Sequence, residues 1–377
     1  MILKHLLPIL LLSWFAIVVN ASPGDRLPEF KQCVQACQQL TCDNIKPTKS
    51  LKRSNRFYNK DYFDDPVIPL HLKLLLWDCN SNCDYQCQKI INFVRKSKNQ
   101  EIHQFHGKWY FKRLFGCQEL ASAVFSILNF MSHYYGYNIL KKNISIAQKL
   151  KSSHGNGYNK NNKNNNEIIT LLNTYKFTAI ISICAWFFST VFHIRDLNVT
   201  ETLDYFFAGA TVMSGFYSVT TRCFNLHLVQ NSKKRALFIG LCLFIYSCHI
   251  LRLTIKWGYS YNMKFNIFIG VVQYFEWFHV AITSFVRSCN MKDNSSHAKN
   301  ISLLSRYTLT SENYFHLTPI FLVLCVSCGM SFELFDFSPI NDLVDAHALW
   351  HATTVLPGYL WYRWMIYDIN CFKDKAI

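Results

Sequence analysis

The sequence predicts an all-α polytopic membrane protein, a seven-transmembrane-helix bundle with a small cysteine-rich lumenal N-terminal region. Three observations carry that expectation. Seven apolar stretches, each close to the ~20 residues that cross a bilayer, follow one another after Leu114. Lys and Arg collect in alternate connections between them. An apolar leader precedes a polar segment in which six cysteines cluster.

Composition sets the same bounds. The chain has 377 residues, of which 50% are hydrophobic and only 16% charged. Such runs are too apolar for an ordinary soluble globule and too rich in core-forming residues for disorder. A formal charge of +16 would suggest nucleic acid if the basic residues shared one surface, but most lie between or beside the apolar runs. Membrane topology explains them better, and no nucleic-acid partner is expected.

Residues 1–21 combine Lys4 and His5 with the apolar run Leu6 to Val19 and small residues before position 22, which reads as a cleavable signal peptide, the rival being an uncleaved membrane helix. Either way residues 22–113 enter the secretory lumen. There Cys33, Cys37, Cys42, Cys79, Cys83 and Cys87 read as a disulfide framework with fifteen possible connectivities. A zinc cluster is the rival, disfavoured by the oxidising compartment and by CxxxC in place of CxxC spacing.

The membrane domain is assigned to residues 114–367, with spans near 114–136, 168–192, 203–221, 236–255, 265–286, 315–336 and 343–366. Basic residues follow the first span (Lys141 to Lys163), the third (Arg222 to Arg235) and the fifth (Arg287 to Arg306). The positive-inside rule makes those loops cytosolic, so the N-terminus is lumenal and the tail, 368–377, cytosolic. Residues 151–166, polar and Asn-rich, read as a disordered cytosolic insertion.

Chemistry is sought in polar residues that survive within the spans, where ionisable groups are costly. Ser189 and His193 stand at i and i+4 at the end of the second span, and Asp204 opens the third across a short turn. His347 and His351 repeat the i, i+4 spacing at the start of the seventh, a spacing suited to two imidazoles on one metal. The topology puts all five at one depth under the lumenal leaflet. Three His ligands with an open position describe a catalytic Zn²⁺ site, and a nearby carboxylate can serve as base. A Ser189–His193–Asp204 triad is the rival reading, but it lacks a G-x-S-x-G elbow and leaves His347 and His351 idle.

Asp345 is assigned either to orienting a ligand imidazole or to a helix N-cap. Glu119 and Arg252, near lumenal span ends, are further candidates, for supporting the metal and for meeting a lipid phosphate, with an interhelical salt bridge the bland alternative for each.

At this point the residues carry a resemblance. The cysteine-rich segment, Gln104-Phe-His-Gly-Lys-Trp109 leading to Gln118-Glu-Leu-Ala-Ser122, Phe188 to Asp196, Leu203-Asp-Tyr-Phe206 and Asp345 to His351 together resemble the post-GPI-attachment-to-proteins factor 3 family of GPI-anchor lipid remodelling proteins. That family belongs to the CREST superfamily of seven-helix membrane hydrolases. The resemblance implies a metal-dependent hydrolase acting on the sn-2 acyl ester of the phosphatidylinositol of GPI-anchored proteins, a phospholipase A2-type reaction. It implies Zn²⁺ on His193, His347 and His351, with Asp204 and Ser189 catalytic. A ceramidase-like amide hydrolase and a non-catalytic seven-helix receptor or scaffold with structural zinc remain the alternatives. Lys373 and Lys375 resemble the dilysine signal read by a coat-protein retrieval receptor, which implies an endoplasmic reticulum membrane protein, with the Golgi membrane also open.

Overall fold

The computed structural model describes residues 22–42, 62–64, 68–153, 160–295 and 311–373. The signal peptide of residues 1–21 and Lys375 of the dilysine pair lie outside the described residues. Among the described residues there are eleven α-helices and no β-strand, only three isolated bridges that close tight turns.

A small N-terminal domain is built from α1 (Pro28–Thr41), α2 (Leu70–Leu74) and α3 (Cys79–Ser97). Asp78 caps α3, accepting the Ser81 backbone N–H at 2.7 Å while the Ser81 hydroxyl accepts the N–H of Asp78. Cysteines at steps of four or five line one face of α1 and of α3, and the two faces join through Cys33–Cys87, Cys37–Cys83 and Cys42–Cys79. The nested order of the pairs requires the helices to run antiparallel. Phe30, Phe63, Ile91 and Phe105 pack around them. A domain this small buries too little apolar surface to stand unaided, and the cross-links supply the difference.

Seven helices of eighteen residues or more follow, one for each predicted span: α4 (Leu120–Ser153), α5 (Lys160–Ile194), α6 (Asn198–Cys223), α7 (Ser232–Ile255), α8 (Tyr259–Ser295), α10 (Thr318–Phe335) and α11 (Ala346–Lys373), with the short α9 (Ser311–His316) before α10. Four stretches, Lys163–Ile194, Val229–Ile255, Tyr259–Ser288 and Thr318–Phe335, are long and apolar enough to cross a membrane by length and composition. The helices α4, α6 and α11 are not among those four, and they carry much of the site described below. The apolar helices point hydrophobic side chains outward, Leu237, Leu243, Phe244 and Ile255 of α7 among them, as helices solvated by hydrocarbon do.

Small residues bring α4, α5 and α11 close. Ala123, Ser126, Ala179, Ser182 and Ala348 are fully buried, and a Cβ on Gly136 would collide with the Tyr362 ring. The start of α4 lies at the end of α5, since the Glu119 N–H donates to the His193 carbonyl at 2.9 Å and the Gln118 N–H to that of Ile194 at 3.0 Å.

Three expected boundaries are corrected. The first helix begins at Leu120 and not near 114, because Leu114–Cys117 is a reverse turn with Phe115 and Gly116 at positive φ, 53° and 83°. The insertion of 151–166 is helical at both ends, with only 154–159 outside the described residues. On either side of it Ile144 and Ala147 of α4 share a buried cluster with Ile168 and Leu171 of α5, and the packed flanks carry helix into the Asn-rich ends against their weak preference. The tail assigned to 368–377 starts as helix, because Asp368 forms a buried ion pair with Arg222 and Ile369 enters the core.

Candidate metal centre

Where the N-terminal domain meets the bundle, His193 from the last turn of α5 and His347 and His351 from the first turns of α11 come together. Each offers a ring nitrogen within 4.8 Å of the others. Ring centroids are 5.2 Å apart for His193–His347, 5.0 Å for His193–His351 and 4.4 Å for His347–His351. The sequence-predicted trio is therefore one cluster, because the i, i+4 pair of α11 faces the end of α5.

The other ring nitrogen of each histidine is occupied. Nδ1 of His193 lies 2.7 Å from Glu119 Oε2, Nδ1 of His347 lies 2.6 Å from Glu333 Oε2, and Nδ1 of His351 lies 2.9 Å from Ser126 Oγ. The carboxylates of Glu119 and Glu333 can only accept, so Nδ1 of His193 and of His347 carries the proton and their Nε2 lone pairs are left free, while Nδ1 of His351 pairs with the Ser126 hydroxyl. His193 Nε2 is buried with no hydrogen-bond partner. A buried imidazole nitrogen left bare is costly unless something else fills its valence. Outer acceptors on Nδ1 with Nε2 directed inward are the pattern of metal-ligating histidines, so the residues fit a metal ion.

Ser189 and Asp204 stand beside this cluster. Ser189 Oγ is 3.2 Å from Ser126 Oγ, and the half-buried Asp204 carboxylate lies near Ser189. Contacts thus run from His351 Nδ1 through the Ser126 hydroxyl to that of Ser189, with Asp204 alongside. The single Ser126 proton serves either Ser189 or the Ser122 carbonyl, 2.8 Å away. All five residues singled out from the sequence are in one place.

The remaining candidates separate. Glu119 is the buried partner of His193. Asp345 is the helix N-cap of α11, accepting the Ala348 N–H at 2.8 Å. Arg252 does not join the cluster: it donates to the Lys256 carbonyl at the end of its own helix and lies over the Tyr261 ring.

Three contributors escaped the sequence reading: Ser126, Glu333 and Lys108. Glu333 also accepts the Tyr259 hydroxyl at 2.6 Å. Lys108 reaches from the N-terminal side, its Nζ 2.6 Å from Glu119 Oε1, 3.0 Å from Asp196 Oδ2 and 3.8 Å above the Phe192 ring. Burial opposes its charge, but the Glu119 and Asp196 carboxylates outweigh that penalty and hold the ammonium well above its ordinary pKa. An acidic residue in an apolar run was the available signal for Glu333; a serine among helix-packing serines carried none.

The Per1-like family matches residues 69–369 of the chain. "Protein PER1" of Saccharomyces cerevisiae is 38% identical over 368 residues, covering 96% of this chain and 96% of the relative. The "Protein PER1 homolog" of Schizosaccharomyces pombe is 34% identical, covering 95% and 92%. The mouse protein named "GPI-specific phospholipase A2-like PGAP3" is 28% identical, covering 96% and 94%. No solved structure matches the chain.

Proposed function

The chain belongs to the Per1-like family, and on that footing we propose that it hydrolyses the sn-2 acyl ester of the phosphatidylinositol that anchors GPI-linked proteins. The observation that carries the proposal is the trio of histidines with every Nδ1 engaged, set beside Ser189 and Asp204 where the helices end. The relatives named for GPI-specific phospholipase A2-like activity supply the substrate class.

In this reading His193, His347 and His351 would hold Zn²⁺, nitrogen donors suiting that ion. When bound, it supplies positive charge that polarises the ester carbonyl and acidifies water. Asp204 takes the proton from the attacking water at its carboxylate. The bond between the acyl carbon and the sn-2 oxygen breaks, and Asp204 returns the proton to that oxygen, leaving a fatty acid and a lysolipid. Ser189, beside Asp204, donates its one hydroxyl proton to the charge that develops on the carbonyl oxygen, a contribution of ~3 kcal/mol. Glu119, Glu333 and Ser126 fix the three rings.

The topology belongs to the proposal: seven spans, N-terminus and site on the lumenal side, C-terminus cytosolic, in the endoplasmic reticulum membrane with the dilysine as retrieval signal. The sn-2 ester sits at the headgroup boundary, so a site at the helix ends meets it while the acyl tail stays in hydrocarbon.

Mass spectrometry of the lipid on GPI-anchored proteins tests this in cells lacking the protein, rescued with wild type or Asp204→Asn at equal expression. Wild type restores sn-2 remodelling and the variant does not. Equal rescue by both favours a scaffold, and turnover of ceramide with none of GPI lipid favours the amide hydrolase.

A further inference from the structure

The N-terminal domain reaches the histidines through one short segment, Gln104–Trp109. Phe105 anchors it: 1% exposed, its ring lies 4.6 Å from Phe30 within the disulfide-bonded core. His106 and Gly107 then turn the chain at φ 51° and 83°, and Phe105 and Lys108 close the turn with reciprocal backbone bonds of 2.7 and 2.9 Å. The flanking side chains meet the membrane domain. Lys108 contacts Glu119 and Asp196, while Gln104 Nε2 and Trp109 Nε1 donate to the two carboxylate oxygens of Asp336 at 2.8 and 2.9 Å.

Those contacts land behind the metal centre on both sides. Glu119 divides its oxygens, Oε1 to Lys108 and Oε2 to His193 Nδ1, so the ammonium fixes the carboxylate that fixes the ring. Asp336 closes α10 three residues after Glu333, the partner of His347, and holds a left-handed φ of 30° that a non-glycine residue adopts at a cost. Two donors from Gln104 and Trp109 hold it there.

We propose that Lys108 is a positioning residue for the metal centre, and that through the Gln104–Trp109 turn the disulfide-bonded N-terminal domain sets the rings of His193 and His347. The proposal rests on the metal reading above and assigns the cysteine-rich domain a task the reaction does not itself require of it. Without Lys108, Glu119 stays buried with one oxygen unheld, and the carboxylate and the His193 ring are free to turn together.

The test is Zn²⁺ affinity by chelator competition on the purified full-length chain in detergent micelles. Wild type is compared with Lys108→Met, Lys108→Arg, Trp109→Phe and, as a control for docking of the domains, Lys96→Met, which removes the separate ion pair to Asp342. Lys108→Met weakens the affinity ~10–100-fold, the usual effect of losing an outer partner. Lys108→Arg recovers most of it, Trp109→Phe weakens it less, and Lys96→Met matches wild type. Should Lys108→Met not fold, the Arg and Trp109 variants decide on the same readout. Wild-type affinity in the Lys108→Met and Trp109→Phe variants, or an equal loss in Lys96→Met, overturns the proposal. A wild-type chain that takes up no Zn²⁺ overturns the metal reading beneath it.

Discussion

Glu119 and His193 are bonded through Oε2 and Nδ1 at 2.7 Å, both side chains almost wholly removed from solvent. That bond sets which imidazole nitrogen is free. The carboxylate accepts from Nδ1–H and presents Nε2, and Glu333 does the same for His347. The first prediction follows from it. Glu119→Ala and Glu333→Ala each lower Zn²⁺ affinity ~10–100-fold, whereas Glu→Gln, which keeps an acceptor oxygen, lowers it less. Metal competition titrations read this directly. Indifference to both substitutions contradicts the assignment of the ligand nitrogens.

Ser189 lies between Ser126 and Asp204 and binds no metal in this reading. Ser189→Ala therefore keeps the metal content and lowers kcat by ~10²-fold, with KM little changed, as expected when one transition-state donor is removed. Loss of metal with Ser189→Ala would show the serine to be part of the ligand scaffold.

At the far end of the bundle Arg222 grips Asp368 by two bonds, 2.6 Å from Nε and 2.9 Å from Nη2. Both residues are buried, so removing one leaves a lone charge. Arg222→Met destabilises the fold by ~3–5 kcal/mol, and pairing it with Asp368→Leu recovers most of the loss. Thermal unfolding in detergent measures this, and the metal affinity of the double variant stays at wild type because the histidines are at the other end.

His106 faces Asp84 at 3.0 Å and Asp25 at 3.4 Å. The Asp84 hydrogen bond, against an opposing burial penalty, raises the imidazole pKa above its ordinary 6.5. A raised folded-state value means stabilisation that is full below pH 6.5 and lost as pH climbs through the folded value. His106→Asn keeps a residue tolerant of the left-handed turn. The stability gap between wild type and variant should be widest in acid and narrow toward alkaline pH, as followed by chemical unfolding of the N-terminal domain. A gap that widens with rising pH contradicts the sign.

How far the sequence could be read depended on whether a feature was local. His347 and His351 were legible because helical spacing alone puts them on one face, and His193 because the end of α5 had to share their depth. The all-helical fold was legible from the apolar runs, and four of the long helices are apolar enough to cross a membrane. What escaped is what only the folded chain decides. Ser126 resembles any helix-packing serine until α11 brings His351 to it, and Lys108 resembles a solvated lysine until a two-residue turn aims it at Glu119. The pairing of the six cysteines was open for the same reason. It depends on α1 and α3 running antiparallel, which no spacing within either helix states. The ends of α4 and α11 were misjudged because a polar composition hid buried contacts such as Arg222–Asp368.

The most direct measurement is release of the sn-2 fatty acid from a GPI lipid by the purified full-length chain, with bound metal quantified on the same samples. Wild type, the chelator-stripped protein, the protein reloaded with Zn²⁺, and Asp204→Asn are compared. The metal-hydrolase reading predicts release by wild type, loss on stripping, return on reloading, and none from Asp204→Asn although its metal content equals wild type. Release that survives complete removal of metal, or that Asp204→Asn supports at the wild-type rate, would contradict it.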